Sequence, residues 1–224
     1  KSHKQWWCST AGVQKSTLDE LTRVLRFIGG EQERDHWSFP YDPSSIIDTI
    51  ISAGTLPETV THQFYPSSDN IARYIAAAVN CGPTDTVLEP EVGRADLLAH
   101  INVSKENITC IDVSPFFVEI VRAKGYANVV QADFIQWSNE NSDVKFDRIV
   151  MNPPYSEGRA KQHTMQALKH LKPGGILAAV LPAGYNVDDW IVDGYVGAKA
   201  SKDFSKEFEE TRISVAVFVF KRLK

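Results

Sequence analysis

Four short apolar segments in the middle of the chain each end at an acidic or amide side chain. These ends are Glu89, Asp112, Asp133 and Asn152, and successive ends are 23, 21 and 19 residues apart. Each interval accommodates one strand and one crossover helix, which is the repeat of a doubly wound parallel sheet. Any one of these side chains alone also fits a helix N-cap or a solvated loop. Taken together they predict an α/β, Rossmann-like and mostly parallel sheet, with one crevice at the carboxyl ends of its strands.

The fourth segment runs directly into the tetrapeptide Asn152-Pro153-Pro154-Tyr155. An exocyclic amine of a nucleobase, or an amide nitrogen, is a weak nucleophile because its lone pair is delocalised into the adjacent π system. The side-chain oxygen of Asn152 and the carbonyl of Pro153 are two acceptors for its N–H bonds, and the consecutive prolines hold the loop rigid. Tyr155 offers a flat ring on which an extruded base stacks. The tetrapeptide predicts methyl transfer to a planar nitrogen, although Asn and Pro are also ordinary turn residues.

With Glu89-Pro90-Glu91-Val92-Gly93 upstream, this tetrapeptide resembles the class I S-adenosylmethionine-dependent methyltransferases, specifically the N6-adenine DNA methyltransferases. Phe64-Tyr65-Pro66-Ser67 is similar to the upstream cofactor motif of that family, and residues 171–177 are similar to the turn after its catalytic loop. The resemblance covers residues 60 to 222. It implies a methyltransferase domain at residues 61–224, preceded by a small helical annex at residues 1–60.

The resemblance implies S-adenosylmethionine as the cofactor and assigns roles to individual residues. Tyr65 and Glu89 would lie near the methionine part of the cofactor. The other cofactor-binding residues would be Gly93, Asp112 with Val113 at the ribose, and Asp133 with Phe134 at the adenine. The catalytic residues would be Asn152, Pro153, Pro154 and Tyr155.

The first motif departs from the family pattern at three positions. Glu91 stands where a small Ser is usual, Val92 stands in place of Ala, and Ala95 stands where the last Gly is expected. Glycines in such loops take positive φ and let the backbone approach a ligand, so the side chains of Glu91 and Ala95 are expected to narrow the pocket or repel the cofactor. Arg94 would neutralise Glu91, reach the cofactor's carboxylate or point to solvent. A catalytically silent module that binds nucleic acid or a protein partner is therefore one alternative.

The annex is predicted to hold two helices, one capped by Ser16-Thr17-Leu18-Asp19 and one running from Pro43 to Gly54. Between them, Trp37 and Phe39 lie among charged residues. These aromatic rings either stack on bases or anchor a loop on the core.

Charge and composition set limits on partners. The formal net charge of −4 shows no general coating of positive charge for nucleic acid, so any DNA contact relies on a local basic patch. The three cysteines are widely spaced, and no metal-binding motif is present, so no metal is expected. Neither an apolar run long enough to span a membrane nor a secretory signal is found, and a cytoplasmic location is the expectation.

The acceptor is predicted to be adenine N6 in DNA, because the Glu89-Pro90 beginning of the first motif favours that group of enzymes. RNA bases and a protein glutamine remain alternatives, since their methyltransferases also use similar loops. A chain of 224 residues leaves little room for a separate recognition domain. We therefore expect weak sequence selectivity, or recognition supplied by a partner or by further parts of a longer polypeptide. No histidine or lysine is assigned as a general base.

Overall fold

The structure is a computed structural model. It describes residues 4–6, 12–34, 36–54, 56, 66–190, 193–201, 203–204 and 214–224, with the backbone alone at residues 4–6 and 189. The predicted domain boundary after residue 60 lies outside the described residues. None of the described helices is both long and apolar enough to cross a bilayer.

The N-terminal part contains the two predicted helices and, in addition, a small antiparallel sheet. In chain order its elements are β1 (Lys4–Trp6), α1 (Lys15–Phe27), β2 (Glu31–Gln32), β3 (Trp37–Phe39) and α2 (Ser44–Ala53). The strand order is β1-β3-β2. Helix α1 begins before the predicted Ser16 cap, at Lys15, and its N-cap residue Gln14 makes no side-chain cap hydrogen bond. Helix α2 ends as predicted, at Gly54 with a φ of 67°.

The aromatic residues of the annex are buried. Trp37 is 5% exposed and Phe39 is fully buried in β3, and Tyr41 donates a hydrogen bond to the Ile28 carbonyl at 2.6 Å. These rings anchor the annex on the core and are not presented to a base. Sequence periodicity could not predict β3, because three residues are too few to show an alternation of two.

The predicted mostly parallel sheet is confirmed. Its strands are β4 (Val87–Glu89), β5 (Ile108–Asp112), β6 (Asn128–Gln131), β7 (Phe146–Met151), β8 (Leu171–Pro182), β9 (Tyr195–Lys199) and β10 (Val215–Arg222). Within the described residues these seven strands lie in the order β6-β5-β4-β7-β8-β10-β9. Neighbours from β6 to β8 are parallel, and β10 runs antiparallel between β8 and β9.

Strand β8 begins four residues before the predicted start at Gly175. Phe146 of β7 pairs with Leu171, whereas Arg148 pairs with Ile176, so the intervening residues of β8 bulge out of register. A Cβ at Gly175 would lie 2.8 Å from the Lys172 carbonyl oxygen, so this bulge requires glycine there. The last strand was predicted from Ile213, which lies outside the described residues; the observed strand begins at Val215.

Helices cover both faces of the sheet. They are α3 (Asp69–Val79), α4 (Pro115–Ala123), α5 (Phe134–Glu140) and α6 (Arg159–Leu168), with short 3₁₀ turns at Leu97–His100, Lys105–Asn107, Ser156–Gly158 and Asp188–Trp190. The predicted cap of α3 is confirmed, because Ser68 Oγ accepts from the Ile71 N–H at 3.4 Å.

Successive residues of β7 face opposite sides and belong to two separate apolar cores. Val150 packs in the core beneath α3 and α4, whereas Ile149 and Met151 pack in the core beneath α5 and α6. A third apolar cluster joins the annex to α4, and in it Phe27 stacks on Phe116 with centroids 5.9 Å apart. The annex is thus packed directly on the helix that follows Asp112.

Candidate active site

A cavity opens where the strand order reverses direction. Strands β5 and β6 extend from β4 on one side and β8 extends from β7 on the other, so the carboxyl ends of β4 and β7 flank the crevice. The space within the cavity and its open mouth measures about 920 Å³. Within the described residues, no group of three or more His, Cys, Asp or Glu side chains is arranged to hold a metal ion.

Six residues predicted to bind the cofactor line this one cavity. They are Glu89, Gly93, Asp112, Val113, Asp133 and Phe134. Tyr65, the seventh, lies outside the described residues. Of the predicted catalytic residues, Asn152 and Pro154 line the cavity, while Pro153 is buried and Tyr155 is partly buried beside them. Asp133 also caps α5, because its Oδ1 accepts from the Gln136 N–H at 2.9 Å.

Asp112 ties together the loops that follow β4 and β5. Its Oδ2 accepts from the Gly93 N–H at 2.8 Å, and its Oδ1 accepts from the Ser114 N–H at 2.8 Å. The side chain is 9% exposed. A carboxylate oxygen has two lone pairs, so an oxygen that accepts from the backbone can also accept from a ligand hydroxyl. Asp112 therefore shapes the cavity as well as lining it.

The loop after β4 takes the backbone conformation that the family pattern assigns to glycine. Gly93 has a φ of 48° and Ala95 a φ of 63°. Ala95 is 4% exposed, packs in the core beneath the loop and does not line the cavity. The expectation that a Cβ at this position narrows the pocket is wrong, because Ala95 is buried in that core and does not line the pocket. The cost of Ala95 is backbone strain.

Arg94 holds the annex against this loop. Its Nη2 lies 2.7 Å from Asp96 Oδ2, and its Nη1 donates to the Arg26 carbonyl at 2.8 Å, near the end of α1. The side chain is 15% exposed. Arg94 therefore neither points to solvent nor serves as the counter-ion of Glu91, which has a different partner.

That partner is His163 on α6. Its Nδ1 lies 2.5 Å from Glu91 Oε1, the histidine is 8% exposed, and its ring centroid is 6.0 Å from that of Phe134. Sequence analysis did not identify this residue. Its position on the helix after the Asn-Pro-Pro-Tyr loop was predictable, but nothing in the sequence linked it to a carboxylate 72 residues away.

Three buried polar atoms in the cavity wall have no hydrogen-bond partner among the described residues. They are Glu89 Oε2, Glu91 Oε2 and Arg159 Nε. Native proteins rarely leave buried polar groups unpaired unless a ligand or water completes them. Two carboxylate oxygens and one guanidinium N–H complement a ligand that carries both positive charge and a carboxylate. S-adenosylmethionine has a sulfonium, an ammonium and a carboxylate, so the residues present fit it.

Two acidic residues of the cavity, Glu89 and Glu91, resist ionisation. Burial raises the pKa of Glu89 well above its ordinary range, and Asp96, Glu91 and Asp112 raise it further. Burial also raises the pKa of Glu91, although the hydrogen bond with His163 opposes that shift. A cationic ligand would relieve both effects.

Both ends of the Asn152 side-chain amide are held. Its Nδ2 donates to Ser67 Oγ at 3.2 Å, and its Oδ1 accepts from the Tyr155 hydroxyl at 2.6 Å. Ser67 belongs to the segment that resembles the upstream cofactor motif. The Tyr155 ring packs against both sheet cores. An incoming amine would therefore share Oδ1 with the Tyr155 hydroxyl or displace that hydroxyl.

Comparison with known proteins agrees with this geometry. Residues 94–201, just under half of the chain, match the family described as Methyltransferase small domain. A curated relative, the Type II methyltransferase M.CvrRI of Paramecium bursaria Chlorella virus XZ-6E, is 27% identical over 168 residues. The match covers 62% of this chain and 43% of the relative, so this chain spans less than half the length of that protein.

Solved structures share the fold at low sequence identity. A Pyrococcus horikoshii protein provisionally described as an RNA methyltransferase has a TM-score of 0.59 and 18% identity, with 80% of this chain and 96% of that chain covered. A Listeria monocytogenes protein, provisionally described as a class I S-adenosylmethionine-dependent methyltransferase, has a TM-score of 0.54 and 13% identity. That superposition covers 95% of this chain and 76% of the other.

Proposed function

This chain has the fold of the class I S-adenosylmethionine-dependent methyltransferases, and from that premise we propose that it methylates the exocyclic amine of a nucleobase, with N6 of adenine in DNA as the leading acceptor. The fold and the matched domain imply S-adenosylmethionine as the cofactor. When bound, that cofactor supplies an electrophilic methyl group. The methyltransferase domain is proposed to span residues 61–224, a range that contains the matched region.

The observation that carries this proposal is the position of Asn152. It follows β7 at the reversal of strand order, lines the same cavity as Glu89 and Asp112, and has its amide orientation fixed by Ser67. Because Nδ2 donates to Ser67, Oδ1 is turned toward Tyr155 and would accept from an amine in place of, or beside, the Tyr155 hydroxyl. With the Pro153 carbonyl as the second acceptor, the lone pair of the amine is localised on nitrogen and directed toward the methyl group.

Tyr155 is proposed to change partners when the acceptor binds. Its hydroxyl lies 2.6 Å from Asn152 Oδ1, the position that the amine requires. Rotation of the ring away from Asn152 would free the oxygen and expose the ring face to the base. Stacking of a base on an aromatic ring is worth about 1–3 kcal/mol, enough to replace one neutral hydrogen bond.

DNA adenine is the leading acceptor for two reasons. The Glu89-Pro90 and Asn-Pro-Pro-Tyr motifs resemble those of the N6-adenine DNA methyltransferases, and the curated relative is a Type II methyltransferase. An RNA base is the second candidate, because the Pyrococcus horikoshii protein that is described as an RNA methyltransferase matches this chain over 96% of its own length. Both candidates place an exocyclic amine of a base at Asn152.

The test is an acceptor screen with methyl-labelled S-adenosylmethionine. Double-stranded DNA, single-stranded DNA and RNA are incubated with the protein, digested to nucleosides and separated by mass spectrometry. We expect label in the N6-methyl-2′-deoxyadenosine released from the DNA, with little dependence on flanking sequence. Asn152→Ala is expected to lower the rate at least about hundredfold, because removal of one hydrogen-bonding group that stabilises a transition state costs about that much.

The screen also decides between the alternatives. Label confined to RNA would replace the leading acceptor with the second one. Strict dependence on a six-base-pair motif would contradict the proposed weak selectivity. Full activity of a folded Asn152→Ala protein would overturn the mechanism. Binding of cofactor without transfer to any acceptor would favour the catalytically silent module.

A further inference from the structure

Glu91 brings a carboxylate into the cavity where the resembled family has a small hydroxyl residue. One oxygen, Oε1, is hydrogen-bonded to His163. The other, Oε2, is buried without a partner among the described residues. Glu89, two residues earlier and 2% exposed, likewise has one oxygen unpaired in the same wall. Two carboxylates that each have one oxygen without a hydrogen-bond partner among the described residues therefore face one cavity.

The charges that line the cavity do not balance. Arg94 and Asp96 neutralise each other at 2.7 Å. The remaining lining residues with formal charge are Glu89, Glu91, Asp112 and Asp133 on the acidic side and Arg159 on the basic side. Apart from His163, four carboxylates would face one guanidinium if all were ionised, and the mutual repulsion of these acids is one cause of the raised pKa of Glu89. A ligand that brings positive charge is favoured in such a site, and a neutral ligand of the same shape leaves the carboxylates uncompensated.

We propose that Glu91, positioned by His163, is a specificity-determining residue that makes the cavity prefer the cationic cofactor S-adenosylmethionine over its neutral-sulfur product S-adenosylhomocysteine. The two ligands differ by one methyl group and one positive charge at sulfur, so a buried carboxylate discriminates between them by charge. The inference rests on the proposed function. It adds that Glu91 disfavours retention of the product.

His163 acts through Glu91. The hydrogen bond from Nδ1 fixes Oε1, so Oε2 is the oxygen left for the ligand. The ring is itself held by packing on Phe134 at 6.0 Å. Without this hydrogen bond, the Glu91 side chain would be free to turn away from the pocket or to take up a proton.

Calorimetric titration with both ligands tests the proposal without any acceptor. The variant Glu91→Gln keeps the size of the side chain and its acceptor toward His163 but removes the charge. We expect the ratio of the two dissociation constants, product over cofactor, to fall about tenfold in this variant, as loss of a nearby charge in a partly solvated site predicts. Glu119→Gln is the matched control, because it removes the same charge at an exposed position on α4 and is expected to leave the ratio unchanged.

Two further variants guard against an effect of folding. Glu91→Ser restores the residue usual in the family and is expected to lower the ratio as Glu91→Gln does. His163→Phe keeps the ring packing, removes the hydrogen bond and is expected to lower the ratio in the same direction. Thermal unfolding establishes that each variant is folded.

The possible results separate the two claims. An unchanged ratio in both Glu91 variants would overturn the inference and leave the proposed function intact. An unchanged ratio in His163→Phe alone would remove the positioning role of the histidine. If the folded wild-type protein binds neither ligand, the proposed function fails and the inference fails with it.

Discussion

Charged side chains at the amino ends of the central strands have partners within the protein, whereas two carboxylates at the carboxyl ends each have a buried oxygen without a partner among the described residues. At the amino ends, Asp147 Oδ2 accepts from the Thr86 N–H at 2.9 Å, from Thr86 Oγ1 at 2.7 Å and from Lys172 Nζ at 2.8 Å. Although burial opposes the shift, the hydrogen bonds from Lys172 and Thr86 lower the pKa of Asp147 to about 2. Arg148 at the same end donates to the Val79 carbonyl and pairs with Asp85.

At the carboxyl ends, two carboxylates lack part of their hydrogen bonding. Glu89 and Glu91 each have one buried oxygen without a partner among the described residues, and burial raises the pKa of both. The protein thus satisfies its charges with its own groups where they stabilise the sheet. It leaves charges unsatisfied where we propose that a cationic ligand binds. Polar groups held at a cost in stability are typical of functional sites.

Among the substitutions that would remove this difference between the two ends of the sheet, Glu89→Gln is expected to have the largest effect. Glu89→Gln removes a carboxylate whose pKa is raised in the fold, so the folded wild-type protein retains a proton that the unfolded chain loses near pH 4.5. Wild-type stability therefore falls as pH rises from that value toward the raised pKa, and the variant escapes the loss. We expect a gain of about 2 kcal/mol in the free energy of unfolding at pH 8 and almost none at pH 4.

Urea unfolding at the two pH values measures this gain, and calorimetry on the same samples is expected to show cofactor affinity reduced at least about tenfold. A variant less stable than the wild type at pH 8 would show that Glu89 belongs with the stabilising acids.

Asp147→Asn is the matching change at the other end of the sheet. The pKa of Asp147 is lowered in the fold, so its contribution is present above about pH 4 and is lost as pH falls toward 2. We expect a loss of about 1 kcal/mol at pH 7, a modest value because Lys172 is 40% exposed, and only a small part of that loss at pH 2. Cofactor affinity should be unchanged. A clear loss of affinity would mean that the two ends are coupled.

Ala95→Gly separates backbone strain from cavity shape. Relief of a φ of 63° is favourable, while the added freedom of glycine in the unfolded chain and the loss of a buried methyl group oppose it. We expect a net stabilisation of about 0.5 kcal/mol. Thermal unfolding measures it. Cofactor affinity is expected to stay the same, and a rise would show that Ala95 does reach the ligand.

The sequence was most informative about features repeated along the chain. The spacing of Glu89, Asp112, Asp133 and Asn152 predicted both the sheet and the crevice, because parallel strands of similar length bring their ends to one edge. Features that depend on a single long-range contact were missed. The Glu91–His163 pair and the Tyr155–Asn152 hydrogen bond each required the packing of α6 and its preceding loop to be known.

Arg94 illustrates the same limit. Its neighbours in the sequence suggested roles at the cofactor or in solvent, but its guanidinium reaches carbonyls at the end of α1, 67 and 68 residues away. The annex carried no periodic signal that would place it against the loop after β4. Long side chains and small docked elements therefore needed the three-dimensional structure.

Titration with S-adenosylmethionine by calorimetry is the most direct test of the difference between the two ends of the sheet. Three proteins are compared: the wild type, Asp112→Asn at the carboxyl end and Asp147→Asn at the amino end. We predict micromolar binding by the wild type and by Asp147→Asn, and binding at least about tenfold weaker by Asp112→Asn. Absence of binding by the folded wild type, or equal affinity in all three proteins, would contradict the assignment of the cavity as the cofactor site.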